Sequence, residues 1–261
     1  MVPSMTQLAI EQIPVLADNY IYLAHDPGSG DTAAIDPAVA PPVLERLRAK
    51  GWRLTHILNT HHHNDHVGGN LTLQEATGAV IVGHRRDAER IPGIDIEVSD
   101  GDSFLLGGAA ALVIDVPGHT VGHIAYWFPE SRALFCGDTL FALGCGRLFE
   151  GTGEQMWASL KKFRPLPDDT RVYCAHEYTE SNANFARTVE RHNPDLLARI
   201  EEVKQARLHH RPTVPSTLGT ERKTNPFLRA DIAEVKAAVG MPPDADPAAV
   251  FTEIRRRKDA F

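Results

Sequence analysis

Two observations predict an α/β fold with a purely helical end. Up to His176 the 261-residue chain alternates short apolar runs of strand composition with amphipathic helical stretches. Beyond it the strand signal disappears, and helical periodicity with proline punctuation takes over. The expected organisation is a main α/β domain over 1–175 and a small helical domain over 176–261. Apolar content of 43% and charged content of 23% suit a globular chain, and no segment is long and apolar enough to span a bilayer.

Residues 8–15, 19–24 and 32–35 have strand composition, interrupted at Ala17-Asp18-Asn19 and closed at Asp36-Pro37, as a meander would be. Pro41-Pro42 opens a helix that carries Val43, Leu44 and Leu47 on one face and stops at Gly51. Residues 54–58 form a buried strand that runs straight into a histidine cluster, and a second helix covers 71–76. Further strands are expected at 79–82, 103–106, 110–116, 124–128 and 133–136. From Gly153 a helix sets Met156, Trp157, Leu160 and Phe163 on one stripe. A strand over 171–174 ends at Ala175-His176. In the last third, Asn193-Pro194 and Asp246-Pro247 are cap and first-turn pairs. They start helices bearing Leu196, Ile200 and Val203 in one case and Val250 and Ile254 in the other, with a loop over 212–226 between them.

A net charge of -7, from 27 basic and 34 acidic residues, argues against a nucleic-acid partner, although a local basic patch can still attract a small anion. The three cysteines, Cys136, Cys145 and Cys174, lack the spacing of a disulfide scaffold or thiolate zinc knuckle and are expected to be reduced. Met1-Val2-Pro3-Ser4-Met5-Thr6 has neither a basic start nor an apolar core, so it does not read as a signal peptide. The cytoplasm is the expected location, and a monomer the expected state.

The chemistry concentrates in Thr60-His61-His62-His63-Asn64-Asp65-His66, four histidines and a carboxylate in seven positions. In an extended segment His61 and His63 project to one side and can reach one metal ion. Asp65 and His66, on the turn into the helix, can face a second ion with oxygen and nitrogen donors. His119, Asp138 and His176 also sit at strand ends, where open α/β sheets place their sites. Lone histidines such as His25, His84 and His192 read as surface or hydrogen-bonded residues, and His56 and His62 as loop residues beside the ligands.

With the later Gly-His at His119, Gly-Asp-Thr at Asp138 and Ala-His-Glu-Tyr at His176, the cluster resembles the metallo-β-lactamase superfamily. Pro14-Val15-Leu16-Ala17-Asp18-Asn19-Tyr20, Gly144-Cys145-Gly146-Arg147, Ala175-His176-Glu177-Tyr178, Asn225-Pro226-Phe227-Leu228-Arg229 and Arg255-Arg256-Arg257-Lys258-Asp259 carry a narrower resemblance within it, over essentially the full length of the chain, to the glyoxalase II, or hydroxyacylglutathione hydrolase, family. It implies an αββα sandwich with a small C-terminal helical domain. It also implies two divalent metal ions per chain, zinc first, with iron and manganese as alternatives. His61, His63 and His119 would hold one ion and Asp65, His66 and His176 the other, with Asp138 bridging. Asp65 and Asp138 are then the catalytic carboxylates, and Asp36 supports the ligands without being one.

Such a pair of ions about 3.5 to 4 Å apart would hold a bridging water whose pKa falls from 15.7 toward roughly 7, giving a hydroxide to attack a thioester carbonyl. A thiol of pKa about 8.5 leaves readily as its thiolate. The implied reaction is hydrolysis of S-D-lactoylglutathione and related 2-hydroxyacylglutathiones to D-lactate and glutathione, the second step of methylglyoxal detoxification. Glutathione carries two carboxylates, and the resemblance implies that Arg255 and Lys258 meet the glycine carboxylate while Arg147 and Tyr178 meet the peptide. Arg147 stands where some members have lysine, and Phe149 where some have a tyrosine whose hydroxyl meets the substrate. The rival readings are a glutathione persulfide dioxygenase with one iron, another hydrolase of this fold, and a non-enzymatic metal-binding protein.

Overall fold

A computed structural model describes residues 6–261. The expected absence of a signal peptide falls on residues 1–5, which lie outside the described residues. The chain forms two compact units: the described chain up to Asp115 with Gly122–Gly137, and Val116–Val121 with Asp138–Phe261.

The first unit begins with β1 (Ala9–Val15), β2 (Asn19–His25) and β3 (Asp31–Ile35), an antiparallel meander as the composition predicts. β4 (Arg53–Leu58), β5 (Val80–His84) and β6 (Ile96–Val98) extend the sheet in parallel register. The order is therefore sequential and the sheet mixed. α1 (Pro41–Lys50) connects β3 to β4 and ends where Gly51, at φ 66°, returns its N–H to Arg48 and Leu47 carbonyls. α2 (Asn64–Val67) and α3 (Asn70–Thr77) connect β4 to β5. Val43 and Leu47 of α1 and Leu73 of α3 bury against Ile21, Leu23, Ile57 and Ile81, which fixes the helices on one face of the sheet.

On its other face the sheet meets β7 (Ser103–Leu106), β8 (Ala109–Asp115), β9 (Ile124–Phe128) and β10 (Ala133–Gly137), all antiparallel. Side chains alternate along β2, so Ile21 and Leu23 go to the helices while Tyr22 meets Phe135, ring centroids 5.7 Å apart. Tyr126 crosses the same layer to donate its hydroxyl to the Asn59 carbonyl at 3.1 Å. β6 went unread because three residues carry no periodicity.

The second unit holds the hairpin β11 (Leu140–Phe141) and β12 (Gly144–Cys145), α4 (Gly153–Lys162), β13 (Arg171–Cys174) and α5 (Thr179–Val189). It continues with α6 (Pro194–Leu208), β14 (Ser216–Thr217), α7 (Leu218–Thr224), α8 (Ala233–Ala238) and α9 (Pro247–Asp259). The caps work as expected: Asn193 Oδ1 accepts from Asp195 and Leu196 N–H, and Asp246 from Ala248 N–H. The expected loop over 212–226 is a correction. It contains β14, paired antiparallel with β13, and α7. Prolines at 212, 215 and 226 hid a strand of two residues and a helix of two turns, each too short to show a period.

Candidate active site

The first unit gathers the histidine cluster at the end of β4. Asp36, one residue past β3, organises it: its Oδ1 accepts the Thr60 backbone N–H at 2.7 Å, and Oδ2 accepts the Thr60 hydroxyl at 2.6 Å and His66 Nδ1–H at 3.0 Å. With its proton committed to Asp36, Thr60 Oγ1 accepts from His61 Nδ1–H at 3.1 Å. His61 and His66 are thus held as the tautomer whose Nε2 carries the lone pair, as a ligating imidazole requires. Asp36, His61 and His66 have donor atoms close enough to hold an ion together, yet both Asp36 oxygens already accept hydrogen bonds, Oδ2 from two donors. That makes Asp36 the support for the imidazoles.

His63 Nδ1 lies 3.0 Å from His61 Nε2. Zinc–nitrogen bonds of about 2.0–2.1 Å in a tetrahedral shell set ligand atoms roughly 3.3 Å apart, so this spacing fits two ligands of one ion. Asp65, in the first turn of α2, is oriented by Asn19 Nδ2 at 3.0 Å, and its Oδ2 is 3.6 Å from His66 Nε2. His62 turns to buried Asp87, 3.0 Å from Nδ1, and Asn64 is exposed. His123 went unread. It is fully buried and stacks on His61 with centroids 4.6 Å apart. Its only sequence signal is a position just before β9.

The second unit gathers His119, Asp138 and His176, each just past β8, β10 or β13. Asp138 spans the two imidazoles, with Oδ2 3.5 Å from His119 Nε2 and Oδ1 3.4 Å from His176 Nε2. Each Asp138 oxygen thus faces one imidazole nitrogen. His119 donates Nδ1–H to the Arg147 carbonyl at 2.8 Å, which again frees Nε2 for a metal. The donor chemistry therefore fits divalent metal in both units.

His119 and Asp138 also line a cavity of about 570 Å³ with Phe141, Cys145, Arg147 and Tyr178. Phe149, Phe261, Arg255, Lys258 and Asp259 add to its polar and aromatic wall, so all four expected substrate residues meet there. Tyr178 stacks on His176, centroids 4.7 Å apart and planes 4° from parallel. Lys258 Nζ donates to Ser181 Oγ at 3.2 Å and lies over the rings of Phe185 and Phe261. Arg255 is no solvated cation: it is 4% exposed, Nη1 donates to the Cys145 carbonyl at 2.9 Å and Nη2 to Asp259 at 2.8 Å. Its Nε has no hydrogen-bond partner among the described residues. Ser181 and Asn182, which sequence reasoning missed, reach the cavity from the first turns of α5.

Comparison with known proteins agrees with this chemistry. Residues 26–176 match the metallo-beta-lactamase superfamily and residues 177–261 match the hydroxyacylglutathione hydrolase C-terminus. A hydroxyacylglutathione hydrolase of Methylococcus capsulatus is 60% identical over 97% of this chain and 99% of its own. The chain belongs to the hydroxyacylglutathione hydrolase family. Another member, from Rhodospirillum rubrum, is 56% identical over 98% of this chain and all of its own. Among solved structures, TTHA1623 in a di-iron-bound form superposes with a TM-score of 0.55 at 29% identity, covering 64% of this chain and 91% of that one. The fold is thus the metallo-β-lactamase fold, mixed sheets with helices, extended by the family's helical C-terminal segment. No helix among the described residues is long and apolar enough to cross a membrane.

Proposed function

We propose that this chain hydrolyses S-D-lactoylglutathione and related 2-hydroxyacylglutathiones to D-lactate and glutathione, the second step of methylglyoxal detoxification. The observation that carries this reading is one cavity lined both by His119 and Asp138 and by the cations Arg147, Arg255 and Lys258. Full-length identity of 60% to a hydroxyacylglutathione hydrolase supports the same reading over a persulfide dioxygenase.

His61, His63 and His119 would hold one divalent ion, Asp65, His66 and His176 a second, and Asp138 would bridge them. Zinc is the first choice because nitrogen and carboxylate donors suit it, and iron or manganese is accommodated by the same set. Bound there, such ions supply Lewis acidity and lower the pKa of a coordinated water from 15.7 to about 7. The residues supply the rest. Asp36 and Thr60 keep the imidazoles in the ligating tautomer, and Asn19 aims the Asp65 carboxylate. Lys258, Arg255 and Arg147 offer positive charge to the anionic substrate, and Tyr178 gives an aromatic face beside His176. We place the enzyme in the cytoplasm as a monomer, which suits its three buried thiols.

Metal analysis combined with a comparison of S-D-lactoylglutathione and a simple thioester tests this proposal. Two ions per chain and a preference for the glutathione ester are expected. Equal rates on both esters would overturn the substrate assignment. His61→Ala and Asp138→Asn should each abolish hydrolysis together with stoichiometric metal, and full activity in either would overturn the site.

A further inference from the structure

Besides the antiparallel pairing of its own strands, the β11–β12 hairpin has its backbone bonded at five points by side chains of the C-terminal segment. Asn225 Nδ2 donates to the Phe141 and Gly144 carbonyls at 3.1 and 3.0 Å, and Asn182 Nδ2 to the Ala142 carbonyl at 3.1 Å. Leu143 N–H donates to Glu221 Oε2 at 2.8 Å, and Arg255 Nη1 donates to the Cys145 carbonyl at 2.9 Å. These bonds hold a turn in which Leu143 sits at φ 59°, a conformation a branched residue adopts only when its surroundings dictate it.

The clamp is buried and closed. Asn225 and Glu221 are both fully buried; Asn225 Oδ1 accepts Phe227 N–H, and Glu221 Oε1 accepts the Ser216 hydroxyl. Buried polar side chains that satisfy one another and a strained turn specify one position for it. The turn leads directly into the metal-ligand region. Gly146, one residue beyond β12, passes so close to Asp138 that a Cβ there would lie 2.0 Å from the Asp138 carbonyl oxygen and 3.1 Å from His119 Nδ1. The next residue, Arg147, provides the carbonyl that accepts His119 Nδ1–H.

We propose that Asn225 and Glu221 are positioning residues for His119: by fixing the 140–145 hairpin they hold the Arg147 carbonyl that orients the imidazole. The C-terminal segment then shapes the metal centre as well as the substrate cavity. This rests on the reading of His119 as a metal ligand. It gives the Asn225 to Arg229 motif a role that substrate contact does not, since neither Asn225 nor Glu221 lines the cavity.

Zinc affinity, measured by competition with a chromophoric chelator, and the absorption spectrum of the cobalt-substituted enzyme test the proposal. Asn225→Ala should weaken zinc binding about tenfold or more, the loss typical of groups that orient metal ligands, and should alter the cobalt spectrum. Leu47→Ala, a core change on α1 outside the hairpin, should lower stability and leave both readouts unchanged. Should Asn225→Ala fail to fold, Glu221 carries the test: Glu221→Ala weakens zinc binding, while Glu221→Gln, whose amide oxygen still accepts the Leu143 N–H, restores it. Wild-type zinc affinity and cobalt spectrum in folded Asn225→Ala, or in Glu221→Ala, would overturn the proposal. Wild-type enzyme that takes up no zinc, iron or manganese would sink the metal assignment first, a distinguishable failure.

Discussion

Lys258 is half-buried against the rings of Phe185 and Phe261, and that desolvation, with Arg255 and Arg147 nearby, pushes its ammonium down to about 8. The charged form is present below that pH. If the ammonium meets a substrate carboxylate, kcat/KM falls as pH rises through about 8, and Lys258→Arg, which stays charged, removes that limb. A profile of kcat/KM from pH 6 to 10 checks this, and identical profiles for the two proteins would count against it. Lys258→Ala should raise KM roughly tenfold or more with little change in kcat, since a charge-assisted hydrogen bond contributes about 1.5–3 kcal/mol. Linkage runs the other way for stability. The folded pKa lies below the ordinary lysine value of about 10.4, so this group makes folding more favourable as pH rises from about 8 toward 10.4. At the other residue that sets the chemistry, Thr60→Val removes the hydroxyl joining Asp36 to His61. Zinc affinity by chelator competition should drop about tenfold or more.

Among the elements, the sheet of the first unit positions the ligand loop because β4 is buried between a helical face and a second sheet. Ile57 is fully buried there, one residue before the last of the strand. Ile57→Ala should cost about 2–5 kcal/mol of unfolding free energy, read from denaturant midpoints, with reduced metal retention because the loop starts two residues later. Helix ends behave differently. Asn193 caps α6 with Oδ1 on two backbone N–H groups, so Asn193→Ala should cost roughly 1 kcal/mol.

For the molecule as a whole, a net charge of -7 coexists with a cavity that concentrates three cations. Arg147 is largely exposed and 3.9 Å from Asp259, so its attraction for an anionic substrate is screened by salt. We expect kcat/KM for the glutathione ester to decline between low and physiological ionic strength while a neutral thioester is unaffected. The thiols should be inert: burial pushes Cys145 up to about 11 and Cys174 up to about 12, and Cys136 is fully buried. Mass spectrometry after alkylation at neutral pH should find no label on the native protein and three on the unfolded one. Removal of metal by a chelator should lower Tm as well as abolish hydrolysis, because an ion bound only by the folded state stabilises it by mass action.

Legible in the sequence were the longer strands, the capped helices and the cluster of His61, His63, Asp65 and His66, while His119, Asp138 and His176 stood out only as polar residues at strand ends that the family resemblance joins to it. Those signals are local: alternation of apolar side chains, a cap residue beside a proline, and polar groups placed directly after buried strands. Tertiary structure alone decided what depends on contacts between distant residues. The short elements over 212–226 persist because Glu221 and Asn225 bond a hairpin some eighty positions away, and no period records that. Arg255, legible as part of a basic run, is buried in the cavity wall, where the Cys145 carbonyl and Asp259 take its guanidinium. His123 carries no local pattern, since its place is set by stacking on His61 across the fold. Local periodicity reports which face of an element is buried, whereas the partner of a buried polar group is chosen only when the chain has closed around it.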